Sequence, residues 1–500
     1  MKSNRIIATI MMLISMLAHE TLNAQDTTFK LSDYKNPNYL YQTLDLSFNL
    51  ASGLSLLKST GNDAESKNSG SFSLYSGIRA GYSFYKNSPE IQSEKHISLN
   101  ADINSYSSKL KRDVIQTNYK SSTFSHVENL YIQGLRRVYS KKMQYFEVNG
   151  ALSGVHNNQM SRNETMRADT ISDKSKEEDK YLNLNLTGAF LVGMGRIEQV
   201  QDARLAMFIL EDLQTLNRAK KVATDEDVLA LAREITLLKY KRFFDNRLRK
   251  IAEITAIDAF LQKNGIAGTS DAAYFTSLND NWNFANNPIR NSGKRLFTGL
   301  EANYRYQYRS SLNEYIMPEN EPNEYKFNKS SGGFNIVAGF NYEKPKSLTW
   351  QYSSSVKIGV GMQSGVETEK EPDIADETKY YLWTRPTVKL AADYGFGFYP
   401  SSRTWLTFKW WLLSGWDKEM DGDTKDNEED LQDIFYIYTG PQFNAYYYFS
   451  ERLRLRLFFN GTLTLDKTNY TYEVIEGDSE KVSSTLWNQN ISASLTYSLF

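Results

Sequence analysis

There is no cysteine anywhere in the 500 residues. That excludes a disulfide, a thiolate metal site and a lipid-modified N-terminal cysteine. Proline is scarce, with 10 in all. Neither sign of charge dominates: the net charge is −1, which offers nucleic acid no electrostatic attraction. Long apolar runs are missing too, and with a mean hydropathy of −0.54 this is no helical membrane protein. The one apolar run near the start, Ile6–Ala18, falls short of the ~20 residues a spanning helix needs. Behind Lys2 and Arg5 it reads as a secretory signal cleaved after Ala24. The mature chain is then exported without being a lipoprotein.

Aromatic residues are plentiful, at 13% with 33 tyrosines, and over most of the length apolar and polar residues alternate. Leu44, Leu46, Phe48 and Leu50 are interleaved with Asp45, Ser47 and Asn49, and Leu182, Leu184 and Leu186 with Asn183, Asn185 and Thr187. Leu453, Leu455, Leu457 and Phe459 are interleaved with Arg454 and Arg456. A period of two is the signature of strands with unlike faces. Most alternations last about nine residues or more, the length of a tilted strand crossing a bilayer. Trp350, Tyr352 and Trp410 on the apolar phase suit the aromatic girdles of a membrane barrel. Segments of this kind number about fourteen, an even number, as is usual in bacterial outer-membrane barrels. The fourth, near Phe124–Tyr139, has a broken phase that suggests a bulge. Connections after odd segments read as long loops (Lys58–Gly70, His156–Asp179, Trp416–Gln432), and those after even segments as short turns (Ser140-Lys141, Pro400-Ser401). Long external loops and short periplasmic turns are the asymmetry of outer-membrane barrels.

One stretch departs from this pattern. From Arg196 to Gly265 the apolar residues recur at three and four: Val200, Ala203, Ile209, Leu213; then Val228, Leu231, Ile235, Leu238; then Leu248, Ile251, Ile254, Ile257, Leu261. Three helices are expected, the first from Ile197, with Thr224-Asp225-Glu226-Asp227 as a capping start and Gly265 as a C-terminal stop. A polar connector, Thr269–Gly293, should then lead back to strand. The insert follows the sixth segment, where a periplasmic turn belongs. The sequence thus divides into a leader (residues 1–24), a first barrel segment (25–194), a helical periplasmic insertion with connector (195–292) and a second barrel segment (293–500).

Asn23-Ala24-Gln25 is similar to signal-cleavage junctions of Bacteroidota, and the final Phe500 resembles the assembly signal of outer-membrane barrels. Gly193-Met194-Gly195-Arg196-Ile197-Glu198, Lys241-Arg242-Phe243-Phe244-Asp245 and Asn279-Asp280-Asn281-Trp282 resemble uncharacterised Bacteroidota outer-membrane barrels with a helical insertion. The resemblance implies the cell outer membrane as the location and carries no function.

Several side-chain constellations bear on function. On the alternating phases Asp45, Asp102 and Glu147 point into the lumen from early strands, Glu301 and Arg305 from the seventh, and Lys357, Arg385, Lys389, Lys409, Arg452, Arg454 and Arg456 from later ones. Walls of opposite sign would set a transverse field across a polar channel. Pairing of these charges across a filled lumen is the alternative. The expected role is an open or gated channel for small polar solutes, embedded in outer-membrane lipid and without enzymatic activity. The rival is a non-conducting envelope protein whose helices dock a periplasmic partner. Ser125-His126, with His96 and His156 on or beside consecutive strands, raises a membrane-embedded hydrolase as a third reading. With His96 inward and His156 outward or in a loop, the geometry of a triad is not supported. Asp417, Glu419, Asp421, Gly422 and Glu428 occupy positions one, three, five, six and twelve of an EF-hand-like calcium loop. Lys425 at position nine and the flanking strands favour a merely solvated acidic run. No other cofactor is implied.

Overall fold

The computed structural model describes residues 29–60, 66–112, 117–167, 170–239, 246–284, 289–317, 323–370, 378–418, 421–424, 431–450, 453–471 and 479–497. The leader, Phe500 and Arg452 lie outside them. After a 3₁₀ turn (Leu31–Asp33) come β1 (Tyr39–Thr60), β2 (Ser66–Asn87), β3 (Ile91–Arg112), β4 (Thr117–Tyr139), β5 (Gln144–Arg167) and β6 (Thr170–Gln199). Four helices follow: α1 (Gln201–Thr215), α2 (Asp225–Lys239), α3 (Asn246–Lys263) and α4 (Ala272–Asn283). The chain resumes with β7 (Asn291–Met317), β8 (Asn323–Pro345), β9 (Trp350–Lys370), β10 (Thr378–Phe398) and β11 (Thr404–Lys418). Last come a short β12 (Asp421–Thr424), β13 (Leu431–Tyr448), β14 (Leu453–Thr471) and β15 (Ser479–Tyr497).

Each strand pairs antiparallel with its chain neighbours in one path, β1 to β11 and then β13 to β15, with β12 set aside on β10. Fourteen strands therefore form the wall, as the alternation predicts. Among the described residues no ladder joins β1 to β15. The sheet is strongly curled. Gln92 of β3 donates to the Ile197 carbonyl of β6 at 3.1 Å, although strands three places apart are ~14 Å apart in a flat sheet. Curling puts one face outside. Leu44, Leu46, Phe48, Ile78, Leu99, Leu186, Phe190, Ile336, Ile358 and Leu457 are all exposed there, the outward apolar band that lipid demands. The architecture is a β-barrel of the outer-membrane type.

The strands are longer than a membrane requires. β1, β2 and β3 have 22 residues each, against ~9–11 for a crossing. The stretches expected to be loops after odd strands are mostly continuing hairpin: the β1–β2 ladder runs from Tyr39↔Asn87 to Thr60↔Ser66. Above the lipid neither face meets hydrocarbon, so the hydrophobic period disappears while backbone pairing carries on. Nor does β4 hold a bulge: its ladders to β3 and β5 keep constant register. The register shifts lie instead at Thr165/Met166 and Lys174/Ser175. The broken phase of β4 arises because polar His126 and Glu128 sit on the outward face, not because the backbone slips.

In the insert, α1 begins at Gln201 rather than Ile197, because Arg196–Gln199 extend the β6–β7 ladder opposite Lys294–Asn291. Thr224 and Asp227 form the expected reciprocal cap, Thr224 N–H to Asp227 at 3.0 Å and Asp227 N–H to Thr224 Oγ1 at 3.2 Å. Gly265, at φ +65°, ends α3 in the left-handed conformation a side chain disfavours. The polar connector holds a helix the sequence reading missed: Tyr274, Leu278 and Trp282 of α4 are buried at fourfold spacing among Ser, Asn and Asp. These helices, with Phe29, Leu31 and Tyr34 from before β1, share one core around Val200, Ile209, Leu213, Leu231, Ile235, Ile257 and Leu261. Each such side chain is worth ~1.5–3 kcal/mol of burial.

Asp271 caps α4, accepting from Tyr274 N–H at 3.1 Å. Arg218 donates to it at 2.7 Å, and that bond, helped by the cap, draws its carboxyl down to about 2. A depressed carboxyl contributes stability above its unfolded pKa of ~4 and loses it as pH falls towards the folded value. Pepsin should therefore cut the α3–α4 connection faster as pH falls from 4 to 2. Asp271→Asn, which keeps a capping oxygen but loses the charge facing Arg218, should already be cut fast at pH 4; equal rates for both chains at pH 4 would mean that the ion pair does not hold this connection.

Candidate functional site

The register carries every described residue of the expected lumen set onto the inner face. Asp45 is exposed on β1. Asp102 on β3 accepts from the Tyr75 hydroxyl at 2.6 Å, with Gly77 alongside, where a Cβ would collide with the carboxylate. Glu147 is buried, held by Arg137 and by Asn149 at 2.6 Å. Glu301 on β7 pairs with Lys357 on β9 at 2.5 Å, over the top of β8. Arg305 reaches Asn183 at 3.4 Å. Lys409 meets Asp393 at 3.2 Å. Arg385 lies 5.0 Å over the Trp383 ring, and together with Lys389 it faces Asp417. Arg456 stacks 5.4 Å from both Tyr446 and Phe458, next to Arg454 on the same face.

These contacts change the electrostatic picture. Among the described residues these acids and bases pair within a wall, between strands one or two apart, and not from wall to wall. Lys329 and Glu367 add a further local pair. The Asp393, Glu367 and Asp417 carboxylates were left out of the inward set read from sequence, so the basic wall seemed bare. Also missed was an apolar cluster inside the lumen: Ala189, Leu191, Val337 and the flanking Phe297. Its signal was present in the adjacent apolar pairs Phe190-Leu191, Leu296-Phe297 and Ile336-Val337, since in a strand one of each pair must turn inward.

The calcium loop fares differently. Asp417 belongs to β11 and Asp421 to β12, while Glu419 and Glu428 lie outside the described residues. Among the described residues no group of three or more His, Asp or Glu side chains is placed to hold a metal ion. Of the histidines, His96 faces inward, 3.0 Å from Ser83 Oγ. His156 lies within β5, not in a loop, on the outward face 3.6 Å from Glu128. Ser125 and His126 are consecutive strand residues and so point to opposite faces.

The short-turn end of the barrel is where the helices attach. Arg290 is fully buried and donates to the carbonyls of Ser347 (2.9 Å), Trp350 (2.8 Å) and Leu348 and to Gln351 Oε1 (3.1 Å). Arg204 of α1 donates to Ser401 O at 2.8 Å and Tyr399 O at 3.4 Å. Both guanidinium groups lie over the Tyr399 ring. Burial draws Arg204 down to about 9, with Arg290 adding repulsion, and burial draws Arg290 down to about 10. Arg403 pairs with Asp280 of α4. Phe284 enters an aromatic cluster with Tyr399, Trp405 and Tyr448. On the far side Arg196 binds Glu198 (2.5 Å) and the carbonyls of Ser88 (2.9 Å) and Pro89 (2.8 Å), stacked on Tyr139. Arg204 and Asp280 of the helices thus fasten the β10–β11 turn, Arg290 at the foot of β7 holds the β8–β9 turn, and Arg196 of β6 holds the β2–β3 turn.

No family model and no curated protein matches the chain. Among solved structures the chain is similar to the translocator domain of the autotransporter NalP from Neisseria meningitidis, at 10% identity, covering 90% of this chain and 98% of that one with a TM-score of 0.16. A likeness that distant has no bearing on what either protein does.

Proposed function

We propose that the protein is an outer-membrane channel for small polar solutes, without catalytic activity, whose helical domain lies in the periplasm and closes the lower mouth. The observation that carries this reading is the union of two features. A charged inner face runs the length of the strands, and a compact domain is fastened to the turns at one end by a few arginines. Neutral pairs such as Glu301–Lys357 shape the lumen without blocking it. Arg454 and Arg456 then bias the path towards anions.

Planar-bilayer recording of the full chain is the test. The expected trace is mostly closed, with brief conducting events that favour anions. Arg454→Gln with Arg456→Gln should shift the reversal potential towards cations. A chain that folds and inserts but never conducts, even when its arginine anchors are removed, would favour the rival reading, a non-conducting envelope protein whose helices dock a periplasmic partner.

A further inference from the structure

The outward face of β3–β6, above the apolar band, departs from the rest of the wall. The register stacks its side chains in rows. One row runs Lys109↔Lys120↔Glu164↔Lys174. The next runs Ser107↔Ser122↔Arg162↔Lys176↔Glu314. Below them comes Phe124↔Met160↔Glu178↔Leu312, then His126↔Asn158↔Lys180, with Lys180 paired to Glu178 at 2.9 Å, and Glu128 faces His156. The His126 and His156 rings are 5.4 Å apart. Lys109 against Lys120, and Arg162 against Lys176, are like charges directly opposite on one face, an arrangement that destabilises a sheet by itself. Glu164 bridges Lys120 (3.5 Å) and Lys174 (3.3 Å), and Lys176 reaches Glu314 at 3.4 Å. Counting the two upper rows, Lys109, Lys120, Lys174, Arg162 and Lys176 exceed Glu164 and Glu314, so positive charge is left over.

Height identifies what would neutralise it. From Phe146, the lowest outward aromatic of β5, to His156 is ten residues, ~25 Å of rise for a strand tilted ~40°. That matches the apolar band of such barrels, ~25 Å tall. The histidines and the Phe124–Met160 row just above them therefore mark its upper rim, and Arg162, Lys176 and Lys120 continue into the headgroup layer. The face looks outward at lipid, not into the lumen.

We infer that the outward face of β3–β6 binds the phosphate-bearing headgroup of an outer-leaflet lipid, with Lys109, Lys120, Arg162 and Lys176 around the phosphate and the histidines at the base of the headgroup. This rests on the outer-membrane reading but not on conduction.

Native mass spectrometry of the full chain in detergent tests it, with diphosphoryl lipid A, the same lipid dephosphorylated, and inorganic phosphate as probes. The phosphorylated lipid should be retained and the dephosphorylated form lost. Lys109→Gln with Arg162→Gln should weaken retention about fivefold for each cation removed. Glu164→Gln should strengthen it, because it removes a competing carboxylate. Heat-modified gel mobility reports that each variant is folded, and single-channel recording reports the pore, so loss of the lipid site and loss of the channel are distinguishable. Equal retention of the two lipids, displacement by millimolar inorganic phosphate, or folded variants that bind as the parent does would each overturn the inference.

Discussion

Replacing Arg290 by glutamine is expected to free the helical domain from the lower mouth while leaving the barrel folded. The guanidinium serves three carbonyls of the β8–β9 turn and one side-chain oxygen. Hydrogen bonds from a charged donor are worth ~1.5–3 kcal/mol each. Part of that gain is offset by burying a cation over Tyr399 with Arg204 close by. A net loss on the order of 3 kcal/mol remains, because glutamine leaves buried carbonyls without donors. In a two-state closure that is about a hundredfold in the ratio of closed to open. Open events should become frequent, and amide exchange should quicken where the domain meets the turns, while the heat-modified gel shift stays in place. Unchanged gating together with unchanged exchange would mean that the domain is held by something other than this anchor.

Leu457→Arg should have an effect of similar size for a different reason. Leu457 is exposed on the outward face of β14, between the rows of Leu455 and Phe459. Arginine on the lipid face near the midplane costs ~2–4 kcal/mol. Its neighbour Arg456 points inward, stacked on Tyr446 and Phe458, so Arg456→Leu loses only contacts of ~0.5–1 kcal/mol. Urea titration in vesicles separates the two variants. Equal midpoints would reverse the facing of β14.

The alternation carried the strand count and the inner and outer faces, since a period of two leaves a strand little freedom once one face must meet lipid. It was legible wherever lipid contact enforced it, as at Leu182, Leu184 and Leu186. It failed where that constraint lapses. The hairpins above the membrane are rich in Ser, Asn, Lys and Glu and read as loops, though their backbones stay paired. α4 escaped notice because Tyr274, Leu278 and Trp282 stand among polar residues and Asp271 looked like part of a loop. The charged residues share one face strand by strand in the register, but their partners were not legible. Whether Glu301 meets Lys357 depends on which strands neighbour each other and how far side chains reach across a third, and no single segment records that. The lower mouth was the least legible part. Arg204, Arg290 and Arg196 act on backbone carbonyls of turns far away in sequence, and such contacts leave no compositional trace.

The bond from Val200 N–H to Arg290 O, 2.8 Å long, closes β6 onto β7 across the whole insert. Every other neighbouring pair in the wall is joined by a short connection, so this pairing alone must wait for a long closure. For a flexible segment of about ninety residues the entropic cost is ~4 kcal/mol. A helical domain that has already formed its own core removes that cost, because it delivers Val200 and Arg290 side by side. On that physical ground the β6–β7 pairing is expected to form after the helices that bring its two ends together. A substitution deep in the helical core, such as one at Leu213 or Ile235, would thus be felt first as slow barrel assembly.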